Sequence, residues 1–413
     1  MAGRRSIMLN KPLEGVKVVD LTYFVAGPGT AKILADWGAD VIKVEPAFGD
    51  PGRGTGAGMT CPADNDCNPF YTTYNSNKRG LSVNLKSAEG KEIMDRLLGK
   101  SDVLVTSYRT GALKRLGLDY ESLCDRHPHL IWAQVNGFGD YGPAKDNPGF
   151  DTVAYWARSG AMMDIAERDT NPINPPIAFG DSVTSCSLAG GICAALYRKL
   201  RTGKGDKVMV SLFGQAIWNV GALVASTQYE DEYPKSRKEA ISPVINSYQC
   251  KDGKWIFLSI LEHERYFRIL CDQVLDRADL AEDDRFSTTL EAKKNAAVLI
   301  RILDQEFRKH TQDEMVERLT KADIAHERIQ HVKDVLSDPQ AIENQYIMER
   351  SNRDGTKTMY AATPVKFGSV KAGNDYDAPL VGQDSEEILA ELGYPRENIL
   401  RWMDDGIVTV VKA

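Results

Sequence analysis

The chain predicts an α/β fold with parallel strands, and three observations predict it. Short apolar runs alternate with helical stretches through the first half, the order that parallel pairing requires. With 413 residues, 42% hydrophobic and 26% charged, the chain has the composition of a soluble globular protein with room for two or three domains. After about Gly221 its character changes, which sets a second region apart.

The elements follow in order. Val16–Leu21 is a short apolar strand, "GTAKILADWGA" a helix with Gly38 near its end, and Asp40–Glu45 the next strand. In "SAEGKEIMDRLLGKSDVLVTS" the helix–strand step repeats, with Ser87 as N-cap and Gly99 as C-cap. "HLIWAQVNGFG" is a strand running into a glycine-rich loop. Asp151 precedes a helical stretch in which Val153, Trp156 and Ala157 share a face. A helix from about Ser182 to Leu200 carries Gly190 and Gly191, each costing about 1 kcal/mol against Ala unless another backbone packs there. "RTGKGDKVMVSL" is a turn and a strand, and "YEDEYPKSRKEA" a polar linker. Asp252-Gly253 turns a hairpin. A helical stretch to about Leu336 includes the capping box Thr311-x-x-Glu314. "PVKFGSV" is strand-like, and the last helix enters at Asp384-x-x-Glu387.

Several functions are disfavoured. A net charge of -7 argues against a general nucleic-acid or membrane-surface binder. The first fifteen residues hold two arginines but no apolar core, unlike a secretory leader, and no run of about 18 apolar residues suggests a membrane span. Seven cysteines without C-x-x-C spacing suggest reduced thiols in the cytoplasm, with Cys186 and Cys193 as small hydrophobes on one helix face. His127 and His129 flank Pro128 with no third ligand nearby, so no metal site is expected. "GKS" at Gly99–Ser101 follows a helix and has Met94 where a phosphate-binding loop needs glycine. "AGPGTAK" offers Gly27 and Gly29 for a dinucleotide fingerprint, with Glu45 ending the next strand, but Lys32 stands at the third position. A nucleotide-linked oxidoreductase is therefore a weak alternative.

Asp151 admits two compatible readings. It is an N-cap, and at a helix N-terminus its carboxylate would be held anionic. A positioned anionic Asp can also be a covalent nucleophile. Gly137, Gly139, Gly142 and Gly149 lie close by and could let a bulky ligand approach.

At these residues the chain resembles the class III coenzyme A transferases, the family of formyl-CoA and carnitine CoA-transferases. The likeness is carried in order by "PLEGVKVVDLTYFVAGPGTAKILADWGADVIKVEP", "NSNKRGLSVNLKSAEGKEIMDRLL", "RTGALKRLGLDYESL", "VNGFGDYGP", "PGFDTVAYWARSG", "GDSVTSCSLAGGICAALYRKLRTGKGDKVMVSL" and "APLVGQDSEEILAELG". The resemblance implies a Rossmann-like large α/β domain formed by both chain ends, residues 1–220 and 340–413. A small α+β domain over 221–339 lies between them, and two protomers interlock as a homodimer. It implies that Asp151 attacks an acyl-CoA thioester, giving an aspartyl anhydride and then an aspartyl-CoA thioester, without ATP or a permanently bound cofactor; coenzyme A is a co-substrate. It places Phe24, Val25 and Ala26 along CoA near its thiol. Lys78, Arg79, Arg109, Arg115 and Leu116 are further CoA contacts.

The chain also departs from the family pattern. The region "SPVINSYQCKDGKW" lacks the glycine run of formyl-CoA transferases, which argues against oxalate or formate. Asn136 stands where a basic residue near the CoA diphosphate is expected, and Pro46 where some members have Arg. Phe150 replaces the histidine of α-methylacyl-CoA racemases, disfavouring a racemase; a non-catalytic acyl-CoA-binding protein is another alternative. The nearest likeness is to the 2-hydroxyacyl and aryl-lactate CoA-transferases of amino-acid fermentation. Phe24, Phe150, Tyr155 and Trp156 suggest an acyl pocket for a branched or aryl 2-hydroxy acid, such as 2-hydroxyisocaproate or phenyllactate.

Overall fold

The computed structural model describes residues 11–229, 231–240, 242–370, 373 and 376–410. The first ten residues, on which the expectation of no leader rests, lie outside them. The chain divides into two compact units, one of residues 1–161, 175–224 and 339–413, the other of 162–174 and 225–338.

The first unit is a seven-stranded sheet. In chain order β1 is Lys17–Leu21, β2 Asp40–Glu45, β3 Arg79–Val83, β4 Val103–Thr106, β5 Ile131–Asn136 and β6 Lys207–Ser211. Its helices are α1 (Ala26–Asp36), α2 (Pro69–Asn75), α3 (Ala88–Gly99), α4 (Thr110–Leu116), α5 (Tyr120–Leu123), α7 (Phe179–Thr202) and α8 (Leu212–Asn219), while the short α6 (Ala161–Asp164) belongs mostly to the second unit. The second unit holds β7 (Ile245–Gln249), β8 (Trp255–Ser259) and β9 (His326–Ile329), paired antiparallel in that order, with helices that bury Leu270, Leu299, Leu303 and Phe307. The chain then returns to the first unit as the hairpin β10 (Ile347–Ser351) and β11 (Lys357–Ala361), and ends in β12 (Val408–Thr409). The large sheet runs β12-β3-β2-β1-β4-β5-β6, all parallel except β12 at the edge.

Strand residues alternate between two apolar layers, as the period of two demands. Val19, Leu21, Leu104 and Trp132 face Ile93, Met94 and Leu97 of α3. Val18, Val41, Val105 and Ala133 face Leu34 of α1 and Leu188 and Ile192 of α7. Both faces are covered, which is why these strands are apolar throughout.

Some expectations change. One helix does meet the length and composition of a membrane span, Phe179–Thr202, yet its Leu188, Ala189, Ile192 and Ala195 lie in this core. Of its two central glycines only Gly191 marks a close approach, where a Cβ would stand 2.9 Å from Val208; Gly190 faces open space. Cys186 is exposed, contrary to expectation, while Cys193 is half-buried and packs against this core. The expected linker packs onto its own unit: Arg237 pairs with Asp304 and Arg168 with Glu239, so these charges are spent in ion pairs. β9 falls inside the expected helical stretch. The strand-like "PVKFGSV" is irregular, and the strand lies earlier, at Lys357–Ala361. Asp384 makes no capping bond; its carboxylate accepts from the Gly80 amide at 2.7 Å and ties the last helices to β3.

Candidate active site

In an open parallel sheet, ligands bind beyond the carboxyl ends of the strands where strand order reverses. Here that point lies between β1 and β4. The loop after β1 carries Tyr23 and Phe24, and the loop after β4 carries Ser107 and Arg109. The Tyr23 amide donates to Ser107 Oγ at 3.1 Å and fastens the two loops together. A cavity of about 680 Å³ opens there, lined by Phe24, Pro46, Phe48, Tyr108, Arg109 and Arg115 among others. A smaller one of about 110 Å³ continues from it, sharing Tyr23, Phe24, Arg109 and Asp146. Its walls include the first turn of α1 (Val25, Ala26, Gly27), Asn136 at the end of β5, and Phe150 and Asp181.

Phe24 is held in a left-handed conformation, φ 64°. Its amide donates to Asp50 Oδ1 at 3.1 Å, while Asp50 Oδ2 lies 3.0 Å from the buried Lys43 ammonium. Burial alone would lower the Lys43 pKa, but the Asp20 and Asp50 carboxylates raise it. A charged network beneath the cavity therefore fixes a strained aromatic in its wall. The Phe24 ring meets the half-exposed Phe150 ring edge-on, with centroids 5.7 Å apart.

Asp151 follows Phe150. Two glycine backbones place it. A Cβ on Gly137 would stand 2.6 Å from Gly149 Cα, so the loop after β5 and the loop before Asp151 touch backbone to backbone. These glycines serve that crossing and also line the smaller cavity; Gly139 and Gly142 have φ of 94° and 83° and nothing beside them. Asp151 opens a π-helical turn, Asp151–Ala157, whose cap position is Phe150, so Asp151 is not the N-cap. Nor do the expected residues share a buried face: Trp156 is buried, but Val153 and Ala157 are exposed.

The Asp151 carboxylate instead sits against the start of α7. A Cβ on Gly180 would stand 2.3 Å from Asp151 Oδ1 and 2.4 Å from Tyr155 Cγ. Neither carboxylate oxygen has a well-formed hydrogen bond among the described residues, and Asp151 is 6% exposed. Burial raises its pKa from the ordinary 3.8 to about 6, opposed by the nearby Gly180, Ala178 and Phe179 amides. Desolvation outweighs the helix terminus, contrary to the expectation of a strongly held anion. Tyr155 and Trp156 are buried behind it: the Tyr155 hydroxyl accepts from Asn219 at 2.6 Å, and Trp156 packs on Phe179. They support the carboxylate from behind and do not line the cavities.

The predicted CoA contacts divide. Phe24, Val25, Ala26, Arg109, Arg115 and Asn136 come together on the two cavities. Neither Arg109 nor Arg115 has an ion-pair partner among the described residues. Leu116 turns away and packs on the core. Lys78 is buried, 2.7 Å from Asp20 and donating to the Pro28 carbonyl and Asn75 at 2.9 Å. Burial and the Lys43 charge lower its pKa to about 8 despite Asp20. Arg79 is spent on Asp40 at 3.0 Å and Glu391 at 2.8 Å, and both basic residues border a different cavity.

The dinucleotide reading loses its residues. A Cβ on Gly27 would meet Thr22 at 2.5 Å and one on Gly29 would meet Ser185 at 2.5 Å, so both glycines allow close packing. Arg53 holds Glu45 at 2.7 Å. His127 bonds to Asp95 at 2.9 Å, and no metal-binding cluster occurs among the described residues. Gly180, Asp181 and Asp50 were not singled out from the sequence. The available signal was a Gly-Asp pair opening the longest helix, where glycine is a poor helix former.

The chain is similar to known proteins along nearly its whole length. CoA-transferase family III matches residues 13–385. The (R)-2-hydroxy-4-methylpentanoate CoA-transferase of Clostridioides difficile is 40% identical over 96% of this chain and 99% of its own length. The cinnamoyl-CoA:phenyllactate CoA-transferase of Clostridium sporogenes is 35% identical over 97% and 98%. The crystal structure of a CAIB/BAIF family protein from Brucella suis, 28% identical, matches 93% of this chain and 100% of its own with a TM-score of 0.79. The chain belongs to CoA-transferase family III and is an enzyme that transfers coenzyme A.

Proposed function

We propose that the enzyme moves coenzyme A from an acyl-CoA to a 2-hydroxy acid bearing a branched or aryl side chain, with Asp151 as the nucleophile. The observation that carries this reading is a buried carboxylate with no well-formed hydrogen bond, one residue after Phe150 of the smaller cavity, which shares Arg109 with the larger cavity that also holds Arg115. In the first step an Asp151 oxygen bonds to the thioester carbon, the C–S bond breaks, and CoA leaves as thiolate. The thiolate then attacks the aspartyl carbonyl and releases the first acid. The second acid repeats both steps in reverse. One thioester replaces another at little net cost, so no nucleotide is consumed.

Arg109 and Arg115 offer charge to the CoA phosphates, and the amides opening α1 lie where the thioester would enter. Phe150 must swing off Phe24 to admit the acyl group. The two relatives named above carry names for a branched 2-hydroxy acid and an aryl one, which supports the acceptor class. The enzyme works in the cytoplasm as an interlocked homodimer. Seven free cysteines suit a reducing compartment, and exposed Tyr197 and Trp218 on α7 and α8 suit a partner chain. Incubating the protein with a panel of acyl-CoAs and acids and following exchange by mass spectrometry tests the reading. Asp151→Asn should fold and lose exchange by several orders of magnitude; retained exchange would remove Asp151 from the mechanism.

A further inference from the structure

We propose that Asp181, in its protonated form, receives the carboxylate of the incoming acid by donating a hydrogen bond to it. The inference rests on the function proposed above. Asp181 lies in the first turn of α7, one residue after the glycine against which the Asp151 carboxylate is pressed. Unlike Asp151, it lines the smaller cavity, opposite the first turn of α1. An acid arriving to attack aspartyl-CoA must therefore pass this carboxyl group.

A second anion there would repel the acid; a neutral carboxyl would bind it. Burial first, and in the free enzyme the Asp151 charge as well, push Asp181 up to about 7. Once Asp151 is held as the CoA thioester its charge is gone, and burial, the larger cause, is what favours the protonated form. Facing groups do not cancel this. Tyr74 on α2 and Tyr155 on the π-helical turn are phenols whose ionisation burial suppresses. Arg109 and Lys145 stand elsewhere on the cavity wall, with Asp146 among them.

The step balances without a co-reactant. Asp181 keeps its proton on its own oxygen, the acid keeps its charge until its oxygen bonds to the aspartyl carbon, and the CoA thiolate leaves with that charge.

The test is the Michaelis constant for phenyllactate, with cinnamoyl-CoA as donor, between pH 6 and 8.5. In the wild type it should rise at least tenfold across this range as Asp181 ionises. Asp181→Asn keeps a donor that cannot ionise, and its constant should stay within twofold of the wild-type value at pH 6 throughout. Asp181→Leu should show a constant raised at least tenfold at every pH, with the constant for cinnamoyl-CoA changed less than twofold. An Asn variant that tracks the wild type with pH overturns the proposal, and it does so even if the Leu variant fails to fold. Wild-type transfer that is abolished in Asp151→Asn while the Asp181 profiles stay flat would sink only this inference. Absence of CoA transfer to any acid would sink the function with it.

Discussion

Replacing Asp151 with Asn should stabilise the protein while inactivating it, and the size of the effect follows from burial. The folded chain raises this carboxyl from 3.8 to about 6. A group raised in this way binds its proton more tightly folded than unfolded. Stability therefore falls as pH rises from about 4 through about 6, and above that the folded state carries the full penalty of the buried anion. The shift corresponds to about 3 kcal/mol. Asn removes the charge at nearly constant volume. The variant should gain up to about 3 kcal/mol at pH 8, or a melting temperature several degrees higher, and almost nothing at pH 4. Thermal melts of both proteins across pH 4 to 8 read this directly. An Asn variant less stable than the wild type at pH 8, or a difference that does not vary with pH, would refute the reasoning. The same ionisation predicts that turnover falls as pH drops through about 6, because only the anion attacks.

Gly180→Ala puts a Cβ 2.3 Å from Asp151 Oδ1 and should cost about 1–3 kcal/mol of stability and at least about a hundredfold in turnover. Melts and steady-state rates check this, and a near-silent substitution would mean the carboxylate is not pressed against that helix start. Arg115→Ala should raise the Michaelis constant for acyl-CoA severalfold with turnover little changed, since phosphate contacts bind ground and transition states alike; equal effects on both substrates would place it elsewhere. Lys78→Met should leave that constant alone but lower stability by about 3 kcal/mol, because the buried Asp20 loses its 2.7 Å partner and keeps only the Thr22 hydroxyl and Lys43 at 4.0 Å among the described residues. With one common donor, a branched or aryl 2-hydroxy acid should exceed oxalate and acetate at least about tenfold in kcat/KM; acetate as best acceptor would end that assignment.

Much of the framework is written locally. The alternation of strands and helices is visible because each element carries its own apolar period, and β2 spans the expected Asp40–Glu45. Ser87 caps α3 through Gly90, Thr311 closes its capping box, and Gly253 turns its hairpin at φ 79°, all through bonds or torsions within a few residues. β9 escaped because "HERI" is short, charged and half-exposed, and becomes a strand only by pairing with β8. Asp151, the proposed nucleophile, was legible from its family motif, but its environment was not. Whether Asp151 caps its own turn or rests on the start of another helix depends on where α7 packs. Whether a lysine meets a phosphate or a buried aspartate is likewise decided across the fold: "NKRG" reads as a basic patch, yet Asp20 and Asp40, distant in sequence, consume both charges. The sequence alone determined which residues are apolar, which turn and which can do chemistry, because those are properties of a residue and its near neighbours. Burial, and with it the ionisation of Asp151 and Asp181, was decided only by the tertiary structure, because desolvation depends on groups brought together from far along the chain.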